Sequence, residues 1–143
     1  GEAVEVAERL ASDLGGRAVR IDTAGKVKYH AAAAIASNFT VTLLGWARDL
    51  FVEAGVSEQD ALAALSALAS GAVENVARVG LPDALTGPAA RGDVDVVRDH
   101  VEALEGERRE LYRRLLLATL PIARAKGGLS DEAAQALERL ARA

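Results

Sequence analysis

Two stretches of the 143-residue sequence hold residue types that can do chemistry. The first is Tyr29-His30 followed by Ser37-Asn38, set in a run that is otherwise mostly alanine, valine, isoleucine and leucine. At roughly 100° per helical residue, His30, Ala34, Ser37, Asn38 and Val41 fall within about 100° of arc. An imidazole and a carboxamide then share one stripe of an apolar helix, with small side chains between them. Buried without partners, such groups cost on the order of 1–3 kcal/mol each. They therefore either pair with core neighbours or face a pocket, and both readings stand at this point.

The second stretch is Leu85-Thr86-Gly87-Pro88-Ala89-Ala90-Arg91-Gly92-Asp93. Gly87 and Gly92 permit close backbone approach or a positive φ, and Pro88 stiffens the entry. Thr86 offers a hydroxyl, and Arg91 a fork that can hold a carboxylate through two hydrogen bonds. The alternative is a plain helix connector in which Asp93 caps the next helix and Arg91 pairs with a surface acid. Other polar residues read as structure. Arg108-Arg109 and Arg113-Arg114 among Glu105, Glu107 and Glu110 suggest a solvated, ion-paired helix face. His100 is expected to be exposed, and Trp46 to fill a core or a dimer seam.

Several chemistries are excluded. With no cysteine there is no disulfide framework, thiolate metal site or thiol nucleophile. Two histidines without HExxH spacing do not make a zinc site, so no metal is expected. A net charge of −4 with interspersed signs argues against a nucleic-acid partner. The N-terminal residues GEAVEVAERL do not read as a signal peptide. The run from Ala31 to Ala47 contains Ser37, Asn38, Thr40 and Thr42, and reads as a soluble core helix rather than a membrane span. A cytoplasmic protein is expected.

The positioning elements are helices. Half of the residues are hydrophobic, but aromatics are only 3% and there are 31 alanines against 19 leucines. That composition predicts an all-α bundle of closely approaching helices. Helices are expected over Glu2–Leu14, Ala24 to about Ala54 with Thr23 as cap, Glu58 to about Ser70, and Ala72–Val79. Three more are expected after the loop: one capped by Asp93 and running to Leu104, Glu107–Lys126, and one capped by Ser130. Arg17–Asp22 reads as an extended strand or a linker. The helix from Ala24 would span roughly 46 Å, longer than a domain of this size, about 37–38 Å across. It must kink, near Gly45 on this reading, or project onto a partner. Its apolar character on nearly every face makes a homodimer the expected way to cover it.

Lys28-Tyr29-His30-Ala31-Ala32-Ala33 with Ser37-Asn38, then Glu74-Asn75, then Leu85-Thr86-Gly87-Pro88 through Arg91-Gly92-Asp93, resembles the C-terminal domain of the Rossmann-like and DUF2520 proteins over roughly Gly25 to Leu104. The resemblance implies kinship with the 6-phosphogluconate dehydrogenase, pyrroline-5-carboxylate reductase and ketopantoate reductase group. There an N-terminal domain binds NAD(P), and a helical C-terminal domain supplies dimer contacts and the substrate side of the cleft. Residues 1–22 would be the linking end of a preceding Rossmann-like domain, and 23–143 the helical substrate-side and dimerisation domain.

On this implication the chain is part of an NAD(P)-dependent oxidoreductase acting on a small molecule, with ketopantoate reduction a candidate reaction. His30 and Asn38 would be catalytic, and Tyr29, Ser37, Thr86, Gly87 and Arg91 would bind substrate or cofactor. In the wider group a lysine one turn before the asparagine often donates a proton. Here that position is Ala34, and His30 stands two turns before Asn38. No GxGxxG occurs in the chain, so no cofactor is expected on these residues alone. The competing reading is a non-catalytic helical dimerisation or assembly module.

Overall fold

The two acids in the first turn, Glu2 and Glu5, favour the helix start of α1 (Glu2–Asp13). Gly15 at φ +73 follows its end. The computed structural model describes all 143 residues and is all-helical, with no strand. After α1 come α2 (Gly25–Ala36), α3 (Asn38–Glu53), α4 (Glu58–Val79), the single turn α5 (Pro88–Arg91), α6 (Val94–Ala103), α7 (Gly106–Lys126) and α8 (Asp131–Arg142). The chain forms two compact units, Gly1–Leu43 and Leu44–Ala143. No helix is long and apolar enough to cross a membrane.

The first unit holds α1, α2 and the start of α3, and none of its residues is buried. The segment between α1 and α2 is a linker, which corrects the strand alternative. A strand needs a paired neighbour for its backbone groups, and this segment is tied down by side chains instead. The Arg20 guanidinium donates to both Glu8 carboxylate oxygens, at 2.7 and 3.1 Å. That pairing holds Glu8 below the ordinary glutamate range. Asp22 Oδ1 accepts from the Gly25 amide at 2.6 Å, so Asp22 rather than Thr23 satisfies the start of α2.

The expected 31-residue helix is two helices, α2 and α3, and the break lies at Ser37 rather than near Gly45. Ser37 has φ −113 and ψ −69. Its hydroxyl donates to the Ala33 carbonyl at 2.7 Å, and Thr40 Oγ1 donates to the Ala36 carbonyl at 3.0 Å. Hydroxyls that bond back to the fourth preceding carbonyl compete with the helix ladder and bend it. Gly45 has no such competitor and stays helical.

The second unit has its core in α6, α7 and α8. Leu116, Leu120 and Ala123 on α7 are spaced one turn apart and buried, as are Ala134, Leu137 and Ala141 on α8. Val97 of α6 packs with Leu116, Leu120, Leu137 and Ala141 in one cluster, and Val101 of α6 is also buried. Ser57 and Ser130 cap α4 and α8 as their positions predict, accepting from the amides of Asp60 at 3.1 Å and Ala133 at 3.2 Å. The two helices expected over 58–79 are one. Gly71 costs only about 1 kcal/mol inside a helix and supplies no stop signal. α7 continues past Pro121 to Lys126 and ends at Gly127, φ +83.

One polar expectation fails here. Arg113 is not solvated: its side chain is 18% exposed. His100 is exposed as expected, with Nδ1 2.9 Å from the Tyr112 hydroxyl. Partial burial raises the Tyr112 phenol above its ordinary value.

Candidate functional site

On α2, Tyr29 and His30 meet edge to face, their ring centroids 5.5 Å apart. Both residues are exposed. At the break, the Ser37 hydroxyl lies 3.0 Å from Asn38 Oδ1, so its proton is shared between that oxygen and the Ala33 carbonyl. The four residues thus form two local pairs. His30 and Asn38 are separated by two helical turns, roughly 12 Å along an axis, and no hydrogen bond joins the two pairs. Both are exposed, so they do not pair within the core of this chain. Val27, Ile35, Phe39 and Val41 around them are between 58% and 76% exposed.

The loop after α4 is built by two side chains that reach its carbonyls. Lys126, at the far end of α7, donates to the Asp83 carbonyl at 3.0 Å and the Leu85 carbonyl at 2.6 Å. Asn75 Nδ2 donates to the Ala84 carbonyl at 3.0 Å, and Arg78 in turn donates to Asn75 Oδ1 at 2.6 Å. Three successive carbonyls are therefore held before Thr86. Thr86 itself is exposed and borders a groove of about 560 Å³ along α4, with Glu74, Asn75, Arg78, Gly71 and Leu68. Sequence reasoning placed Asn75 in a motif but gave it no role, and missed Lys126. A residue 41 to 43 positions away leaves no local signal of such a bond.

Gly87 (φ +91) and Gly92 (φ +74) both take the backbone conformation that favours glycine. Only Gly92 also makes a close approach. A Cβ there would lie 3.0 Å from Ala133 Cβ and 3.1 Å from Leu129 Cδ1. Between them, Pro88 opens α5 and Arg91 closes it. The Arg91 fork is engaged: Nε lies 2.9 Å and Nη2 2.7 Å from the same Asp93 oxygen. That contact corrects the expected Asp93 cap, because Asp93 stands at the N-cap position of α6 but makes no side-chain cap bond. Both donors converge on one oxygen, so the pair is not the two-oxygen clamp a bound carboxylate would form. Arg91 is not among the residues bordering the Thr86 groove.

A third feature was not legible as a site. Trp46, Asp49, Leu50 and Glu53 form one face of α3 and border a groove of about 640 Å³, with Leu104 and Arg108 opposite. Trp46 is half-buried there. Arg108 binds Glu53 at 2.6 Å, which raises its guanidinium further above the ordinary range.

The family described as "Domain of unknown function (DUF2520)" matches residues 1–119. That span is wider at both ends than the resemblance over Gly25 to Leu104, and takes in α1, the linker and most of α7. Comparison with curated proteins and with solved structures returned no match. With more than four-fifths of its residues inside the match, and with the Tyr29-His30, Ser37-Asn38 and Thr86–Asp93 motifs all within it, the chain belongs to the DUF2520 family.

Proposed function

We propose that this domain is the helical, substrate-side and dimer-forming part of a cytoplasmic NAD(P)-dependent oxidoreductase, with a ketopantoate-reductase-like reaction the leading candidate. The observation that carries the reading is the exposure of Tyr29, His30, Ser37 and Asn38 on an apolar helical face. Polar groups of this kind, left out of the core and set among uncovered apolar side chains, suit one wall of a cleft. In this proposal His30 donates or accepts the proton and Asn38 orients the substrate. Tyr29 and Ser37 flank them, and Thr86, Gly87 and Arg91 receive a carboxylate or the nicotinamide end of the cofactor. For Arg91 to bind a carboxylate, Asp93 has to yield one or both of its contacts.

The residues present do not fit the dinucleotide itself. Its diphosphate is ordinarily held by a glycine-rich turn between a strand and a helix, and this chain has neither a strand nor a GxGxxG. The proposal therefore places NAD(P) on a separate Rossmann domain. Binding of NAD(P)H by the protein that carries both domains, followed by nucleotide fluorescence, is the test. Absence of binding overturns the proposal.

A second reading is favoured by a specific contact. Arg91 already has a partner in Asp93, as a plain connector would have, and the exposed Val27, Ile35, Phe39 and Val41 suit a purely structural dimer surface. Replacing His30 and Arg91 by Ala separates the two. Folded, dimeric variants with unchanged ligand binding favour the assembly module, and lost binding favours the reductase.

A further inference from the structure

Seven arginines of this chain make ion pairs, and six follow one pattern. Arg20, Arg48, Arg91, Arg98, Arg108 and Arg142 each keep a carboxylate oxygen within 2.9 Å, with side chains 34% to 74% exposed. Arg113 inverts it. At 18% exposure its side chain is the most buried of the seven, yet its only carboxylate contact is Glu110 at 3.5 Å. Its Nε is fully enclosed and has no acceptor. A guanidinium withdrawn from water ordinarily has a close counter-ion, because desolvation weakens the charged form and the attraction of an anion restores it. The folded chain supplies none at short range.

The surroundings of Arg113 are cationic. It borders a cavity of about 290 Å³ between α7 and α8, together with Arg114, Arg142, Glu110, Leu117 and Ala141. Arg142 commits Nε and Nη2 to Glu138, at 3.0 and 2.9 Å, which leaves Nη1 uncommitted. Arg114 forms no ion pair and is exposed. Three guanidinium groups thus border the space beside the Glu110 carboxylate, with Leu117, Ala141 and Ala143 completing the lining. A cavity at the small end of the range for ligand sites, about 300–1,000 Å³, suits a compact anion rather than a nucleotide.

We infer that the α7–α8 cavity is a binding site for the oxyanion group of a small molecule, a phosphate or a carboxylate, held by Arg113 with Arg114 and Arg142. The planar fork of arginine matches either group through paired N–H donors. The site lies within the second unit and shares no residue with the Tyr29–Asn38 face or the Thr86–Asp93 loop. It stands whether or not the domain serves a reductase.

The probes are inorganic phosphate and citrate, titrated into the chain at constant ionic strength with chloride as the control. Thermal unfolding and the Arg Nε–H resonances report binding. Either anion should raise the melting temperature saturably and shift the Arg113 resonance, and comparing the two distinguishes phosphate from carboxylate preference. Arg113→Met keeps the stem and removes the charge. It should unfold no more easily than the wild type without anion, because an apolar group replaces a poorly paired ion. It should also bind the anion about tenfold or more weakly, the size of a lost charge-assisted bond. Arg114→Gln, at an exposed position, should fold normally and weaken binding several-fold. The inference is overturned if chloride gives the same response, or if Arg113→Met and Arg114→Gln respond like the wild type. It is equally overturned if neither anion binds; where Arg113→Met then changes the oligomeric state, an acid of a second copy is the counter-ion.

Discussion

Replacing Gly92 by alanine tests how the candidate loop is fixed to the helical core. Gly92 sits at φ +74 and ψ +26, between α5 and the start of α6. A non-glycine residue in that left-handed region costs about 1–2 kcal/mol. The new methyl would also lie 3.0 Å from Ala133 Cβ and 3.1 Å from Leu129 Cδ1, against the roughly 3.5–4.0 Å at which carbon atoms are attracted. Both neighbours belong to the α8 side of the core, where Ala134 and Leu137 are almost fully buried. Relieving the overlap by shifting them adds about 1–2 kcal/mol, the cost of a modestly overpacked site. The sum is about 2–4 kcal/mol, which at about 3 °C per kcal/mol lowers the melting temperature by about 6–12 °C. Gly71→Ala is the matched control. It lies inside α4 with nothing within 4 Å of the added carbon, and should stabilise by about 0.5–1 kcal/mol. Thermal and urea unfolding of the two variants give the answer. A Gly92→Ala variant within about 0.5 kcal/mol of the wild type would refute the view that loop and α8 share one tightly fitted joint.

Lys126→Met should destabilise by about 1–2 kcal/mol, because the Asp83 and Leu85 carbonyls lose a charged donor. Hydrogen exchange should quicken around residues 81–86 in particular, whereas uniform protection across the chain would show that the clamp is dispensable. Ser57→Ala removes the cap that accepts from the Asp60 amide and should cost about 1 kcal/mol by urea unfolding. An unchanged midpoint would mean that α4 needs no cap. The Tyr112 phenol is raised by burial. The folded state therefore holds that proton more tightly, and the associated stability is complete below the ordinary tyrosine value near 10 and declines as pH rises above it. Tyr112→Phe should flatten the alkaline limb of the unfolding curve, and identical limbs for both proteins would contradict the assignment. Glu8 is lowered by Arg20, so their pairing is present above the ordinary glutamate range and is lost as pH falls through the lowered value. Backbone resonances of residues 17–22 should shift over that acidic window, and should not do so in Arg20→Gln.

The elements that the sequence exposed were those whose ends carry local chemistry. Ser57, Ser130, Gly15 and Gly127 act within three or four residues of themselves, so the boundaries they mark can be read along the chain. The misread positions depend on competition or distance. Asp93 has the residue type and position of a cap, but Arg91 two residues earlier takes its carboxylate. Thr23 yields to Asp22, whose carboxylate accepts from the Gly25 amide. The break at Ser37 depends on which hydroxyl turns back toward the ladder, a choice that periodicity does not encode. Lys126 meets the loop carbonyls from 41 and 43 positions away, a pairing only the tertiary fold brings together. The solvated, ion-paired reading of residues 108–114 holds for Arg114 in its solvation alone, because Arg114 is exposed and has no ion pair. It failed for Arg113, because α8 closes over that turn of α7 and nothing in the local spacing announces it.

The uneven use of apolar residues between the two units bears most directly on function. In the second unit, Val97, Leu116, Leu120 and Leu137 are withdrawn from water, and short side chains such as Ala123, Ala134 and Ala141 let the helices approach closely. In the first unit no residue is buried, although Val27, Ile35, Phe39 and Val41 are as hydrophobic as those core residues. Burying a side chain of that kind contributes about 1.5–3 kcal/mol, so leaving four exposed forgoes a free energy comparable with the whole stability of many domains. A large uncovered apolar surface of this sort marks a place where another surface docks. The polar residues Tyr29, His30, Ser37 and Asn38 stand among those side chains. A surface that covered them would also exclude water from the imidazole and the carboxamide, strengthening every electrostatic contact they make. In the proposed reductase, covering the face and activating its polar groups would be one event. The same variants should therefore reveal both: Phe39→Ser or Val41→Ser should weaken self-association or interdomain docking and ligand binding together.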